Sequence, residues 1–160
     1  MKKLIPFAAA AALIGGAAYA ADVDSNAGAR IVAPLQVANA TALYFGTVVP
    51  SITNADSVIV SATGAKTCGA ELTCLTTDHT AAAFNVTGET DRVYTISLPS
   101  SVQISNGSEN MDVDNFTGSK ASGTLTSVAD NFTVGGTLDV GANQAAGEYT
   151  GTFTVTVEYQ

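Results

Sequence analysis

The chain has 160 residues, of which fourteen are acidic and six basic, for a formal net charge of −8. Such a surface repels nucleic-acid phosphates and anionic membranes. One histidine and two cysteines are too few for a blue-copper centre, which needs two histidines, or for a catalytic zinc centre with its usual two or three.

Residues 1–20 read as a secretory signal peptide. Lys2 and Lys3 precede an apolar run from Leu4 through Ile14, and Ala18-Tyr19-Ala20 supplies a small-x-small cleavage site. The run is too short to span a bilayer stably. No later stretch reaches ~18 consecutive apolar residues, so no transmembrane helix is expected. Cleavage after Ala20 leaves 140 residues, the size of one domain. Four basic residues (Arg30, Lys66, Arg92, Lys120) then face fourteen acidic ones, a net charge of −10. Cys68 and Cys74 are predicted to form a disulfide, because export places them in an oxidising compartment. Their short loop makes it a local staple.

Residues 21–37 form an N-terminal extension or first strand, with apolar side chains at odd positions: Val23, Ala27, Ala29, Ile31, Ala33, Leu35, Val37. Pro34 cannot donate to a ladder and suits an edge or the end of a pairing region. A domain over 38–160 follows. Short strands are expected at Ala42–Phe45, Ser57–Ser61, Ala82–Val86, Val93–Leu98, Val102–Ile104 and Met111–Phe116, with a tight turn at Asn106-Gly107. Gly123–Thr126 is a weaker strand. Phe132–Val134 and Thr137–Val140 flank Gly135-Gly136, which is either a bulge or a turn. Gly141–Gly147 is a loop. The clearest strand closes the chain, with Tyr149, Phe153, Val155, Val157 and Tyr159 on one face and Thr150, Thr152, Thr154, Thr156 and Glu158 on the other. Only Gly151 breaks the large apolar face. Turn signals every eight to twelve residues and no helical period predict an all-β protein, an immunoglobulin-like antiparallel sandwich.

No residue pattern points to catalysis. Asp78-His79 has no G-x-S-x-G partner motif. Asp22-x-Asp24-x-Asn26 lacks the glycine and the final glutamate of a calcium loop, having Ala27 and Ala33 there. The five Asn-x-Ser/Thr triplets, at Asn39, Asn85, Asn106, Asn115 and Asn131, fit chance in a Ser/Thr-rich chain. The reading is therefore a non-enzymatic protein with no cofactor and no bound metal.

Six stretches carry a resemblance over nearly the whole mature chain. They are Phe45-Gly46-Thr47-Val48-Val49-Pro50; Ala83 to Glu89 with Tyr94 to Pro99; and Met111 to Phe116 with Gly136 to Val140 and Gly147 to Val155. Together they resemble a family of secreted proteobacterial β-sandwich proteins of unknown function. The C-terminus also resembles subunits of chaperone–usher pili, which end in an alternating strand with a penultimate aromatic and a glycine about fourteen residues from the end. Tyr159 and Gly147 occupy those places, with Phe153, Val155 and Val157 between them. Many pilins differ in that their paired cysteines lie far apart in sequence.

The resemblance implies a pilus or fimbrial subunit with three kinds of partner: a periplasmic chaperone, an outer-membrane usher, and other copies of itself. It would travel through the periplasm to the cell surface or an extracellular fibre. Assembly would be by β-augmentation, one chain filling an open groove in the next. Val23, Ile31, Ala33, Leu35 and Val37 are the candidate donor residues. Ile31 to Val37 is alternatively the first edge strand of its own domain. A monomeric secreted binding module for carbohydrate or protein is the other functional expectation.

Overall fold

The computed structural model describes residues 20–75, 78–127 and 129–160. The expected signal peptide lies outside them except for Ala20. The chain forms two units, Met1–Ile31 and Val32–Gln160. In the first, the described residues 20–31 are exposed and carry no secondary structure.

The second unit is all-β, with every strand pairing antiparallel. In chain order its strands are β1 (Gln36–Thr41), β2 (Val48–Val49), β3 (Asp56–Val60), β4 (Lys66–Cys68), β5 (Thr73–Cys74), β6 (Ala82–Thr87), β7 (Val93–Ser97), β8 (Ser101–Ser105), β9 (Asn110–Gly118), β10 (Ser122–Thr124), β11 (Ala129–Val140) and β12 (Thr156–Tyr159). The large sheet runs β1-β6-β11-β3-β4, with β9 also on β11 and β8 on β9. A second sheet runs β10-β7-β12, and β2 pairs with β5. The arrangement is an immunoglobulin-like antiparallel sandwich, as the turn spacing predicts.

β11 is the spine. Its first half pairs with β6 and its second half with β3, while β9 runs along its opposite edge. Gly135 sits where β6 gives way to β3, against the backbone of Val60, Ser61 and Ala62, and no side chain fits there. Gly135-Gly136 is thus inside one continuous strand and is not a turn, and the bulge beside it lies on the partner strand β9. The register of β9 against β11 shifts between Gly135 and Thr137. The extra residue lies on β9, where Asn115 has a φ of 46°.

Two apolar clusters fill the sandwich. One is built on Phe45, Val58, Val60, Val113, Leu138 and Val140. The other is built on Phe84, Val86, Tyr94, Leu125, Phe132 and Val134. Leu43 and Phe116 pack against both. In the second cluster the Tyr94 hydroxyl donates to Asp130 Oδ2 (2.8 Å), and Lys120 Nζ meets both carboxylate oxygens (2.9 and 3.0 Å). Burial opposes ionisation of Asp130, but these bonds and the Asn131 amide outweigh it and hold the carboxyl below its ordinary pKa. Burial, followed by the bond to Asp130 and its charge, pushes the Tyr94 phenol up.

Three expected strands differ in extent. β1 begins at Gln36, two residues beyond Pro34, which has no amide hydrogen for the ladder. Of Ala42–Phe45, Tyr44 makes a single bridge to Thr80. In the closing stretch the ladder covers Thr156–Tyr159, with one bridge from Thr150 to Ser105. Gly151 lies so close to the Gln103 carbonyl and Ile104 that a Cβ would stand 2.7 Å from the former. The apolar face nevertheless persists: Phe153, Val155, Val157 and Tyr159 all pack inward on the second cluster.

An open slot between the two ends of the domain

β1 and β12 are both edge strands; after β1 the chain makes a bridge at Tyr44 and then β2, and before β12 it makes a bridge at Thr150. From Gln36 to Val49 the N-terminal rim is paired on its outer side: β1 on β6, Tyr44 on Thr80, and β2 on β5. From Thr150 to Tyr159 the C-terminal rim is likewise paired on its outer side, to Ser105 and then to β7. Among the described residues, hydrogen bonds join the rims at two places. At one, the Tyr159 hydroxyl donates to the Ala33 carbonyl (3.0 Å) and accepts from the Glu89 amide (2.7 Å), while the Ala33 amide donates to Glu89 Oε2 (3.3 Å). At the other, the Asn143 amide donates to the Ser51 carbonyl (2.7 Å). Residue numbers rise from one closure to the other along one rim and fall along its partner, so the rims run antiparallel.

Between the closures lies a slot of about 1160 Å³, lined by Ala42 to Pro50 on one side and Gln144 to Phe153 on the other. Its floor is the core itself: Val113, Phe116, Leu138 and Val140, with Ile104 and Phe84 beside them. Phe153 holds the C-terminal rim in place, edge-on to Phe84 at 6.1 Å and tilted over Phe116 at 4.9 Å. On the lip of the other rim, Tyr44, Val49 and Ile52 are exposed, at 52%, 44% and 81%. Large apolar side chains thus stand exposed beside a slot with an apolar floor, on an acidic domain.

The sequence-predicted residues fall into three groups. Val23 and Ile31 are 92% and 94% exposed in the first unit. Ala33, Leu35 and Val37 belong to the second: Ala33 in the closure with Tyr159, Leu35 packed on the second cluster, and Val37 paired with Val86 in β1. Of the C-terminal set, Gly147, Tyr149 and Phe153 line the slot, Tyr159 makes its closure, and Val155 and Val157 pack on the second cluster. Gly147 lies against the Asn106 side chain, and the Tyr149 hydroxyl turns back to donate to the Ala145 carbonyl (2.8 Å).

Cys68 and Cys74 form the expected disulfide, with Cα atoms 6.3 Å apart. It ties β4 of the large sheet to β5, which pairs with Val48 and Val49 of the rim. Asp56 braces the same loop: its carboxylate accepts the Glu71 amide (2.9 Å) and the Ser57 amide (2.8 Å), and these bonds lower its pKa. The staple therefore supports one wall of the slot. His79, the only histidine, makes a bond from Nε2 to the Gly64 carbonyl (3.0 Å). Among the described residues no group of three or more His, Cys, Asp or Glu side chains is placed to hold a metal ion, and no helix is long and apolar enough to cross a membrane.

The residues that sequence reasoning missed are the lip at Tyr44, Val49 and Ile52 and the Ser51–Asn143 closure. Val48-Val49-Pro50-Ser51 looks like a turn or strand end, and nothing local signals that it borders the slot.

Among the described residues the fold and slot define a β-sandwich protein with a slot between its first and last strands. Residues 35–159 match the family described as a domain of unknown function, DUF4402, and the chain belongs to that family. No curated protein and no solved structure matches it.

Proposed function

We propose that this protein is an exported structural subunit of a surface fibre, assembled when an N-terminal extension is donated as a strand into the slot. The observation that carries this reading is the slot between the antiparallel rims. Each rim is paired on one side, and between the rims the slot reaches down to the core residues Val113, Leu138 and Val140, which are 3%, 5% and 4% exposed. A single extended segment laid between them would pair with both and cover the floor. The extension has the alternation such a strand needs.

The likeness of Gly147, Phe153, Val155, Val157 and Tyr159 to the closing strand of chaperone–usher pilins supports the same assembly route. An apolar floor must be covered during transit, which is the work of a periplasmic chaperone strand before an outer-membrane usher delivers the subunit.

The test is to complete the fold within one chain. The exported chain receives a second copy of residues 21–32 after Gln160, through a linker of about ten residues. That length covers a turn and the stretch alongside Val155 to Gln160. The chain's own Val23 and Ile31 are changed to Asp to prevent competition. The expected product is a monomer that melts well above the unappended variant. If the natural chain is already a stable monomer at every concentration, and the appended strand adds nothing, the strand-donation reading fails and a monomeric binding module stands in its place.

A further inference from the structure

We infer that Asn106, in the turn between β8 and β9, is a site of spontaneous deamidation, and that its conversion to isoaspartate releases the C-terminal rim of the slot. The inference does not depend on what fills the slot. Asn106 is the only asparagine of the chain followed by glycine. The attacking group is the backbone nitrogen of the next residue, and a side chain there hinders its approach. Gly107 has none, is exposed, and stands at a φ of 93° with open space where a Cβ would be. Asn85 and Asn131, by contrast, precede Val86 and Phe132 inside paired strands.

The turn also prepares the group to be attacked. The Asn106 side-chain oxygen accepts the Ser108 amide (2.9 Å) and the Glu109 amide (2.8 Å). Two N–H dipoles aimed at that oxygen favour the negative charge that develops there when Cγ is attacked. The attacking nitrogen must lose its proton, and the Gly107 amide donates to Ser105 Oγ (3.0 Å).

The step needs only solvent water and involves no oxidation or reduction. The Gly107 nitrogen bonds to Asn106 Cγ and gives its proton to solvent; the Cγ–Nδ2 bond breaks and ammonia leaves. Water then opens the cyclic imide. Breaking the new N–Cγ bond gives aspartate. Breaking the bond from nitrogen to the main-chain carbonyl gives isoaspartate, whose chain runs through Cγ and is longer by one backbone atom. Either product carries a carboxylate in place of the amide.

The consequence follows from what Asn106 touches. Its side chain lies against Gly147, where a Cβ would stand 2.9 Å from Asn106 Nδ2. Its neighbour Ser105 makes both bonds of the bridge to Thr150, amide to carbonyl in each direction (2.9 and 3.0 Å). Gly147 and Thr150 both line the slot. Isoaspartate lengthens the turn beside that bridge and takes the side-chain oxygen away from the Ser108 and Glu109 amides. The rim from Gly147 to Thr150 is therefore freed.

The experiment incubates the exported chain in mildly alkaline buffer, beside the same chain unfolded in urea and the folded Asn106→Gln and Asn106→Asp variants. Peptide mass mapping locates the deamidated residue, and isoaspartate-specific methyl transfer measures the rerouted product. The modified fraction is separated by its added charge for amide exchange. Asn106 is expected to react ahead of the other asparagines, and Asn106→Gln to stay unmodified at that position. The Ser105 and Thr150 amides should exchange at least about tenfold faster in the isoaspartate fraction, with β6 and β11 unchanged. Asn106→Asp, which has the charge without the longer backbone, should stay closer to the natural chain. A folded chain whose Asn106 is intact when the unfolded chain has reacted overturns the site. Isoaspartate at 106 with Thr150 as protected as before overturns the release of the rim.

Discussion

The hydroxyl of Tyr159 reaches the carbonyl of Ala33 across 126 positions of sequence, at 3.0 Å, and so joins the two ends of the domain. The same oxygen accepts the Glu89 amide at 2.7 Å. Gly88 makes room for it, since a Cβ there would collide with the hydroxyl. Tyr159→Phe keeps the ring and removes both bonds, leaving an amide without its partner. It should cost about 1–2 kcal/mol in urea unfolding with an unchanged m-value. Tyr159→Ala should cost more, because the ring packs on the second cluster.

The Tyr94–Asp130–Lys120 set gives stability a definite acid limb. The carboxyl of Asp130 is lowered in the folded state, so its contribution is fully present above the unfolded value, about pH 4, and is lost as pH falls through the folded value. Asp130→Asn should flatten that limb and lower stability at pH 7 by about 1–2 kcal/mol, measured by denaturant midpoints from pH 2 to 7. Gly123→Ala should be at least as damaging, because its Cβ would lie 2.5 Å from the Tyr94 oxygen and 2.7 Å from Asp130 Oδ2.

The disulfide closes a loop with a sequence separation of 6. On chain entropy alone its loss should cost about 2 kcal/mol. Because β5 pairs with the rim at Val48 and Val49, Cys68→Ala/Cys74→Ala should also raise amide exchange at those two residues ahead of β6 and β11. Equal acceleration everywhere would mean that the staple acts on the unfolded chain only.

Tyr44 is half exposed on the lip, so its role can be separated from folding. Tyr44→Glu should change the unfolding midpoint by less than about 0.5 kcal/mol, as an exposed substitution does. Binding of a peptide of residues 21–31 should still weaken at least tenfold, through a charge set beside the apolar floor.

Much of the sandwich was legible in the alternation of its strands. Ser57–Ser61, Ala82–Val86 and Val93–Leu98 each lie within a residue or two of the ladder found. The bulge was less so. A plain period of two puts Phe116 on the face opposite Met111 and Val113, whereas the αL turn at Asn115 brings all three to the core. The slot was half legible: the closing strand announces an inward face, Gly147 lies in its wall, and Tyr159 marks one closure. The slot between residues 42–50 and 144–153 is a property of two distant segments. It leaves no local pattern, because a covered edge and an open one use the same apolar residues.

The central claim is that one strand lies between both rims at once. Amide hydrogen exchange on the Val23→Asp/Ile31→Asp variant, with and without saturating 21–31 peptide, tests it most directly. The expected result is simultaneous protection of residues 42–47 on one rim and 151–155 on the other, while the outer pairings of β6 and β7 stay unchanged. Protection confined to a single rim, or absent from both, would contradict it.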